Sequence, residues 1–319
     1  MTKRTRRDFL RQSILAVPGS VSLAGLLADR VYAANNASAA PVDLQLMING
    51  AYAGYNLPGL LDIQQVAPAT AGTPDGPAMR VAVPRMLQQT QQVRFQFTGG
   101  MSNAFNSLVQ QSVAHQLGRV DGVLLLGTPY ALQAAYEWTD GSIYQIDLPG
   151  LDASANAPVY ATATLKAVSL VPAAVSKYAA VHAQGYGVRK QLTQWTARNF
   201  RLSCSALGTL VRTTSVGNLS FSAQLRGGSF SFVMATSPAL LSSTLKPFST
   251  ALGSGGQLTP GQPTTFELDL LNSNLSATLA SATLQNCLVT HIDTSTVAGG
   301  SVVLSTVTVA FSDASMGLA

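Results

Sequence analysis

Charge is scarce in this chain. Only 10% of its 319 residues are Asp, Glu, Lys or Arg, against about 25% in typical soluble domains. The formal net charge is +5, but residues 1–33 hold six of the 19 basic residues and two of the 14 acidic ones, which leaves 13 against 12, or +1, for the rest. A surface this neutral lacks the positive field on which nucleic-acid binding depends, so we expect no nucleic-acid partner.

Cysteine and histidine are rare as well. The chain has two cysteines, Cys204 and Cys287, and three histidines, His115, His182 and His291. The histidines are far apart and form no HxH, HxxxH or HExxH motif, and no CxxC occurs, so zinc, iron–sulfur and haem sites lack their ligands. The sequence therefore predicts no metal and no cofactor. It leaves open whether Cys204 and Cys287 form a disulfide, because it does not show whether they lie close together.

Motifs of catalysis are absent too. No GxGxxG or GxxxxGK[ST] phosphate loop and no GxSxG nucleophile elbow occurs. Asp121, Glu137, Asp147 and Asp152 lie in one region and leave a glycosidase-type carboxylate pair open, although such residues more often serve turns and strand ends. We predict no catalytic residue and a protein that is not an enzyme; a hydrolase without a recognisable motif is an alternative.

The N-terminal segment is the most specific feature. TRRDFLRQS, Thr5–Ser13, resembles the twin-arginine export signal of bacteria through Arg6, Arg7, Phe9 and Leu10. The apolar segment that follows is too short to span a bilayer, and VYA ends it with small residues that suit signal peptidase. We therefore predict a signal peptide over residues 1–33, cleavage after Ala33, and export to the periplasm or the extracellular space.

Strand patterns dominate the remaining chain. Short runs rich in β-branched and aromatic residues are bounded by Gly, Pro, Asn or Asp, and they cover Asp43–Ile48, Val93–Phe97, Gly122–Gly127, Ser142–Leu148 and Val159–Val168. Between the second and third run, apolar residues at helical spacing predict a helix over Phe105–Leu117. No stretch of 18 consecutive apolar residues follows the signal, so we expect no stable membrane span.

The same order of elements then recurs. NFRLSCSAL, GSFSFVMA, TSPALLSSTLKPF, TTFELDLLN and a long closing segment repeat the pattern of the first half, and Ala239–Phe248 is the predicted second helix. Matched residues keep a similar separation: 135 positions for Phe95 and Phe230, 146 for Ile146 and Ile292, 144 for Thr164 and Thr308. The pattern predicts a tandem duplication, with units at 34–172 and 195–319 and a connector at 173–194 that holds a short helix and a glycine turn.

Two segments carry a family resemblance. IYQIDLPGLDASANAPVYATATLKAV resembles the C-terminal hairpin of T4-like phage tail tube proteins, and WTARNFRLSCSALG is similar to their N-terminal strand. The family includes contractile injection system inner tubes and haemolysin-coregulated proteins. The resemblance implies a small antiparallel β-barrel with one flanking helix that assembles into six-membered rings. Two departures are the duplicated unit and the signal peptide.

The resemblance also sets the functional expectation. It implies a mainly β chain of two tandem antiparallel β-barrel units, each with one flanking helix, that serves as an exported, non-enzymatic structural subunit and self-assembles into rings or tubes. Since each chain carries two units, self-association of three chains would complete a homotrimeric, pseudo-hexameric ring. The alternative is a secreted β-sandwich adhesin or carbohydrate-binding module, in which Tyr52, Tyr55, Tyr136 and Trp138 would form a sugar platform.

Overall fold

The computed structural model describes residues 43–57, 59–64, 91–116, 118–128, 130–187, 193–210, 212–236, 251–252, 258–259, 263–296 and 303–319. Two helices lie in these ranges, α1 (Asn103–Val113) and α2 (Val175–Gly187). The strands of the first half are β1 (Asp43–Ile48), β2 (Ala51–Leu57), β3 (Gly59–Gln64), β4 (Gln91–Phe97), β5 (Val120–Thr128), β6 (Ala131–Leu148), β7 (Leu151–Asp152), β8 (Pro158–Val159), β9 (Ala161–Ala167) and β10 (Ser169–Ala173). Those of the second half are β11 (Trp195–Thr196), β12 (Phe200–Cys204), β13 (Gly208–Thr209), β14 (Thr213–Val216), β15 (Leu219–Ser222), β16 (Gly228–Thr236), β17 (Ala251–Leu252), β18 (Leu258–Thr259), β19 (Thr264–Leu271), β20 (Thr278–Thr296), β21 (Val303–Phe311) and β22 (Asp313–Leu318). The mainly β architecture predicted from sequence is confirmed.

One strand topology occurs twice. The first unit, β1 to β10, has the order β2-β1-β5-β6-β9-β4-β3, and the second unit, β12 to β22, has the order β13-β12-β19-β20-β21-β16-β14. Position by position the two orders match, and in each unit the last strand, β10 or β22, pairs with the long strand β6 or β20. The repetition inferred from the sequence pattern is therefore a repetition of the fold.

Even an irregularity repeats between the units. A β-bulge interrupts the pairing of β6 with β9 between Ile143 and Gln145, and another interrupts the pairing of β20 with β21 between Val289 and His291. The partners of Gln145 and His291 across these bulges are Thr164 and Thr308. Because a bulge fixes register, the sequence matches of Thr164 with Thr308 and of Ile146 with Ile292 hold.

The match of Phe95 with Phe230 is wrong by two residues. Phe95 pairs with Ala163, the residue before Thr164, whereas the residue before Thr308 is Val307, and Val307 pairs with Phe232. A shift of two keeps a strand residue on the same face of the sheet, so the phenylalanine pattern alone does not distinguish Phe230 from Phe232.

In the described ranges neither sheet closes into a barrel. The first unit's path ends at β2 and β3, which do not pair with each other. Residue 58 alone separates Leu57 from Gly59, and antiparallel neighbours need a hairpin loop of at least about two residues. The closed barrel implied by the resemblance is thus corrected to an open, bent sheet in each unit.

A continuous ladder joins the two units. Gln145 to Leu148 of β6 pair with Ser222 to Leu219 of β15, and Leu151 and Asp152 of β7 pair with Val216 and Ser215 of β14. One register runs through both segments, because each step forward along β6 and β7 is one step back along β15 and β14. The result is one sheet across the molecule, the front sheet, with the order β3-β4-β9-β6/β7-β14/β15-β16-β21-β20.

Each unit also has a back sheet, and a single apolar core fills the space between the layers. The back sheets are β2-β1-β5-β6-β10 and β13-β12-β19-β20-β22, so β6 and β20 contribute to both layers. Buried residues of both units belong to one cluster, among them Trp138 and Phe95 of the first and Phe266 and Phe232 of the second. The shared core explains why the units stay together without a separate interface.

The helix α1 lies where the units meet. Its N-cap is Ser102, whose Oγ accepts from the backbone N–H of Phe105 at 3.3 Å. It contacts β6 of the first unit and β22 of the second, and Asn106 Nδ2 donates to the carbonyl of Leu318 at 3.4 Å. The predicted helix is confirmed, although it ends at Val113. Its counterpart, Ala239–Phe248, lies outside the described residues.

The helix α2 covers one outer face. Met47, Leu125 and Ala135 form a small apolar patch on the outside of the first unit's back sheet, and Tyr178 and Val181 of α2 pack against it. The helix predicted for the connector is therefore present, and it covers an apolar patch on this face of the first unit.

Candidate assembly surface

The four carboxylates singled out in the sequence each take part in local hydrogen bonds. Each accepts hydrogen bonds from its own neighbours: Asp121 from the backbone N–H of Asp140, Glu137 from Lys177 and Tyr178, Asp147 from Gln145 and Ser220, and Asp152 from Ser154. Hydrogen bonds from Lys177 and Tyr178 lower the pKa of Glu137, and hydrogen bonds from Ser154 lower the pKa of Asp152. A glycosidase acid needs a raised pKa, so these two carboxylates are built for structural hydrogen bonding.

The cysteines are buried in the core of the second unit. Both are free thiols in this structure. Cys204 is on β12 and Cys287 on β20, and these strands lie on opposite sides of β19. Cys204 Sγ lies 3.3 Å from Thr264 Oγ1, and Cys287 Sγ donates to the carbonyl of Leu284 at 3.2 Å. Across the part of the chain that the structure describes, no three His, Cys, Asp or Glu side chains gather into a metal site.

The aromatic residues proposed as a sugar platform are not on one exposed face. Tyr136 and Trp138 belong to the buried core. The rings of Tyr52 and Tyr55 are tilted by 30° with centroids 4.5 Å apart, and the Tyr52 hydroxyl donates to the carbonyl of Val181 in α2. The carbohydrate platform is therefore wrong for these four residues, because two of them fill the core and Tyr52 anchors a helix.

The front sheet leaves two backbone edges unpaired within the described residues. One is the side of β3 that faces away from β4. The other is the side of β20 that faces away from β21, from His291 onward, because β19 and β22 pair only with residues up to Cys287. His291, Asp293, Thr294 and Ser295 are exposed there, and His291 Nε2 lies 2.9 Å from Asp293 Oδ2.

These two edges are equivalent to the two edges that join inside the chain. β3 occupies in the first unit the place of β14 in the second, and β20 occupies the place of β6. Within the chain, the edge of β6 pairs with β15 and that of β7 pairs with β14. The open edge of β20 is therefore equivalent to the edge of β6 that pairs with the second unit. The open edge of β3 is equivalent to the edge of β14 that pairs with the first unit.

Their directions agree as well. All neighbours in the front sheet are antiparallel, and four such steps lead from β3 to β14 and from β6 to β20. An even number of reversals restores the direction, so equivalent strands of the two units run the same way. The sequence pattern indicated the duplication but not these edges, because edge position depends on which strands pair.

Comparisons with known proteins give only distant likenesses. No protein-family model matches this chain, and no curated protein matches it. Among solved structures, it is similar to a chain of the anti-feeding prophage cap, the tube terminating cap, at 12% identity and a TM-score of 0.28, over 38% of this chain and 89% of that one. It is similar to a chain of an extracellular contractile injection system, the PVC sheath–tube complex in the extended state, at 12% identity and 0.31, over 46% and 99%. A chain of the anti-feeding prophage baseplate aligns at 18% identity and 0.24, over 37% and 89%.

The residues of the predicted signal, Arg6, Arg7, Phe9, Leu10 and Ala33, lie outside the described residues. Among the residues that are described, neither helix is long and apolar enough to cross a bilayer.

Proposed function

We propose that this protein is an exported, non-enzymatic structural subunit that assembles head to tail into a ring through its front sheet. The observation that carries the proposal is the internal junction, where the edge of β6 and β7 takes up β14 and β15 in one continuous register. Among the residues that the structure describes, the same two kinds of edge have no pairing strand at β20 and β3. A second copy would pair its β3 with β20 and repeat the junction between chains.

Such an interface is heterologous, since the two surfaces that meet differ. A heterologous contact either closes into a ring or continues as a filament. The tail tube resemblance favours a ring of six units, and three chains of two units each would complete it. Closure would also remove both open edges, which otherwise invite aggregation, and the low charge of the chain suits a subunit that buries much surface.

We also propose that residues 1–33 direct export of the folded chain by the twin-arginine route, with cleavage after Ala33. The sheets of this chain pair strands that are far apart in the sequence, and a chain that folds before export needs a route for folded cargo. Replacing Arg6 and Arg7 with lysine should abolish export, and the N-terminus of the exported protein should be Ala34. Export of the lysine variant at the wild-type level would contradict this part of the proposal.

The ring is tested by cross-linking. In the correspondence between the units, Leu148 matches Thr294 and Leu219 matches Gln64, and Leu148 pairs with Leu219 within the chain. The double variant Gln64→Cys and Thr294→Cys, treated with a short bis-maleimide, should give covalent dimers and trimers on a denaturing gel. The series should stop at three chains, and native mass spectrometry of the untreated wild type should show a trimer.

The variant Thr294→Cys alone is the matched control and should give no such series, because both native thiols are buried. A cross-linked series that continues past three chains would indicate a filament instead of a ring. A strictly monomeric wild type at micromolar concentration would overturn the assembly itself.

A further inference from the structure

The surface beneath α2 is apolar in the first unit and polar in the second. A β-bulge after Leu126 in the first unit matches one after Leu270 in the second, so Leu125 is equivalent to Asp269. Strand pairing then assigns the other two residues of the apolar patch. Met47, Leu125 and Ala135 correspond to Ser203, Asp269 and Ser281. The same surface of the same fold has therefore diverged, and its apolar version is the one with a helix over it.

The polar version shows that a back sheet folds without a covering helix. Arg201 and Glu267 are exposed on this face of the second unit, yet its strands pair in the same order as those of the first. A sheet face that is open to solvent keeps polar side chains. The apolar residues of the first unit are thus matched to α2 itself, and the fold of the sheet does not depend on the helix.

The docking of α2 is separate from the main core. Met47, Leu125 and Ala135 form a cluster of their own, apart from the core between the sheets. The helix has 13 residues, includes Gly185 and Gly187, and has no acidic residue in its first turn and no basic residue in its last. Such a helix is marginal in water without a surface to pack on. We therefore expect α2 to open and melt as a unit while both sheets stay folded.

One polar group in this interface lacks a partner. Gln45 of β1 is 1% exposed, and no donor among the described residues reaches its Oε1. The residue of α2 that lies over it is Gly185, because a Cβ added there would be 2.9 Å from Gln45 Oε1. Glycine has no side chain that donates, so α2 fits the apolar patch but leaves a buried acceptor unpaired, which costs stability.

We infer that this face is a helix-binding site, which α2 closes from within the chain and which an amphipathic helix of a partner protein binds when α2 opens. The partner helix places apolar side chains where Tyr178 and Val181 lie, and four residues after the second of them it carries a hydrogen-bond donor such as Ser or Asn. That donor reaches Gln45 Oε1 and completes the site. The inference does not depend on the proposed ring, because the face lies on a back sheet and the ring joins front sheets.

Opening is tested with a thiol placed under the helix. In Ala135→Cys of the full mature chain the new thiol lies beneath α2, whereas Cys204 and Cys287 lie in the main core. A maleimide should label position 135 at least about a hundredfold faster than either native cysteine, since local opening costs less free energy than unfolding. Equal rates would show that α2 opens only with the whole fold, and they would overturn the inference.

A matched pair of substitutions on α2 controls the opening. Val181 packs on the apolar patch, and its neighbour Ala180 is exposed. Val181→Asp puts a charge against the patch and should raise the labelling rate at position 135 at least about tenfold, while Ala180→Asp should leave it unchanged. Slow labelling of Cys204 and Cys287 in both variants would show that the core stays folded. An unchanged rate in Val181→Asp would contradict the docking.

The chemistry of the partner is tested with fluorescent peptides of residues 174–187, in the wild-type sequence and with Gly185→Ser or Gly185→Ala. By fluorescence anisotropy, each should bind the Val181→Asp chain more tightly than the wild-type chain, in which α2 fills the site. The serine peptide should bind about threefold to tenfold more tightly than the alanine peptide, because only serine donates to Gln45. In Gln45→Met the order should reverse, because alanine is the better helix former. Failure of all three peptides to bind the opened chain would overturn the helix-binding site. An alanine peptide that binds as tightly as the serine peptide would overturn the role of Gln45.

Discussion

Trp138 lies directly over Gly122, its partner in the pairing of β5 with β6. A Cβ added to Gly122 would come within 2.0 Å of Cζ2 of the Trp138 ring and 2.4 Å of the carbonyl oxygen of Met47. The indole is buried in the core, so the glycine is what makes room for it. In the second unit the equivalent pair is Phe266 and Leu284. There the larger residue is on β19 and the smaller on β20, the reverse of the first unit.

We therefore expect Gly122→Ala to destabilise the protein by roughly 1–3 kcal/mol or more, the usual cost of overpacking a core. The indole cannot move without displacing other core residues, and the Met47 carbonyl belongs to the β1 backbone. The free energy of unfolding from urea titration measures the effect. A control is Gly50→Ala, where nothing lies within 4 Å of the added Cβ and only the positive φ of 78° is penalised.

A double substitution tests whether the equivalent residue pairs of the two units pack in the same way. Gly122→Phe with Trp138→Leu copies the pair Phe266 and Leu284 into the first unit. We expect the double variant to be more stable than the sum of the single variants predicts, because residues in direct contact are not additive. Additive losses would show that the two sites are not equivalent in packing.

The sequence predicted the repeated order of elements but not the contacts that depend on strand pairing. The repeated order of elements was visible because strand patterns and matched residues such as Ile146 and Ile292 survive duplication. Whether Cys204 and Cys287 pair was not visible, since it depends on β19 lying between their strands. The open edges of β3 and β20 could not be predicted either, because an edge position depends on which strands pair.

The thiol of Cys287 should make stability fall in alkaline solution. Burial raises the pKa of Cys287 from 9.0 to about 11, so between these values the unfolded chain loses a proton that the folded chain keeps. The contribution of this thiol to the free energy of unfolding is fully present below pH 9. It declines by about 2–3 kcal/mol as the pH rises toward 11. Unfolding free energies at pH 8 and pH 10.5 should show a steeper loss in wild type than in Cys287→Ala.

Thiol counting on the exported protein addresses the disulfide left open by the sequence. The structure places both cysteines as free, buried thiols, so a thiol reagent should label neither in the folded protein and two per chain after denaturation without reductant. Zero labelled thiols in the denatured protein, with a mass about two daltons lower, would show instead that the strands rearrange to form a bridge.

Asp269 is a buried carboxylate on β19 that depends on Arg201 of β12. Its Oδ2 accepts from Arg201 Nε at 3.0 Å and from Nη2 at 2.6 Å, and its side chain is 3% exposed against 46% for the arginine. We expect Arg201→Met to lower the free energy of unfolding by roughly 2–3 kcal/mol, because it leaves the Asp269 charge buried without a partner. The loss is smaller than for a fully buried pair, since the arginine side chain is 46% exposed. Arg201→Met with Asp269→Leu should recover most of the loss. A double variant as unstable as the sum of the singles would contradict this account.

Glu137 should control how firmly α2 is held on the first unit. Its Oε1 accepts from Lys177 Nζ at 2.7 Å and from the Tyr178 hydroxyl at 2.9 Å, and these hydrogen bonds lower the pKa of Glu137 below its ordinary value of 4.5. A lowered pKa in the folded state means that the stabilisation is present above that ordinary value and disappears as pH falls through the lowered one. Hydrogen exchange should therefore show α2 losing protection in acid ahead of β5 and β6. In Glu137→Gln, which keeps the size but not the charge, protection of α2 should be lower at neutral pH and change less with pH. Equal pH dependence in both proteins would show that the apolar patch of Met47, Leu125 and Ala135 holds the helix without help from the carboxylate.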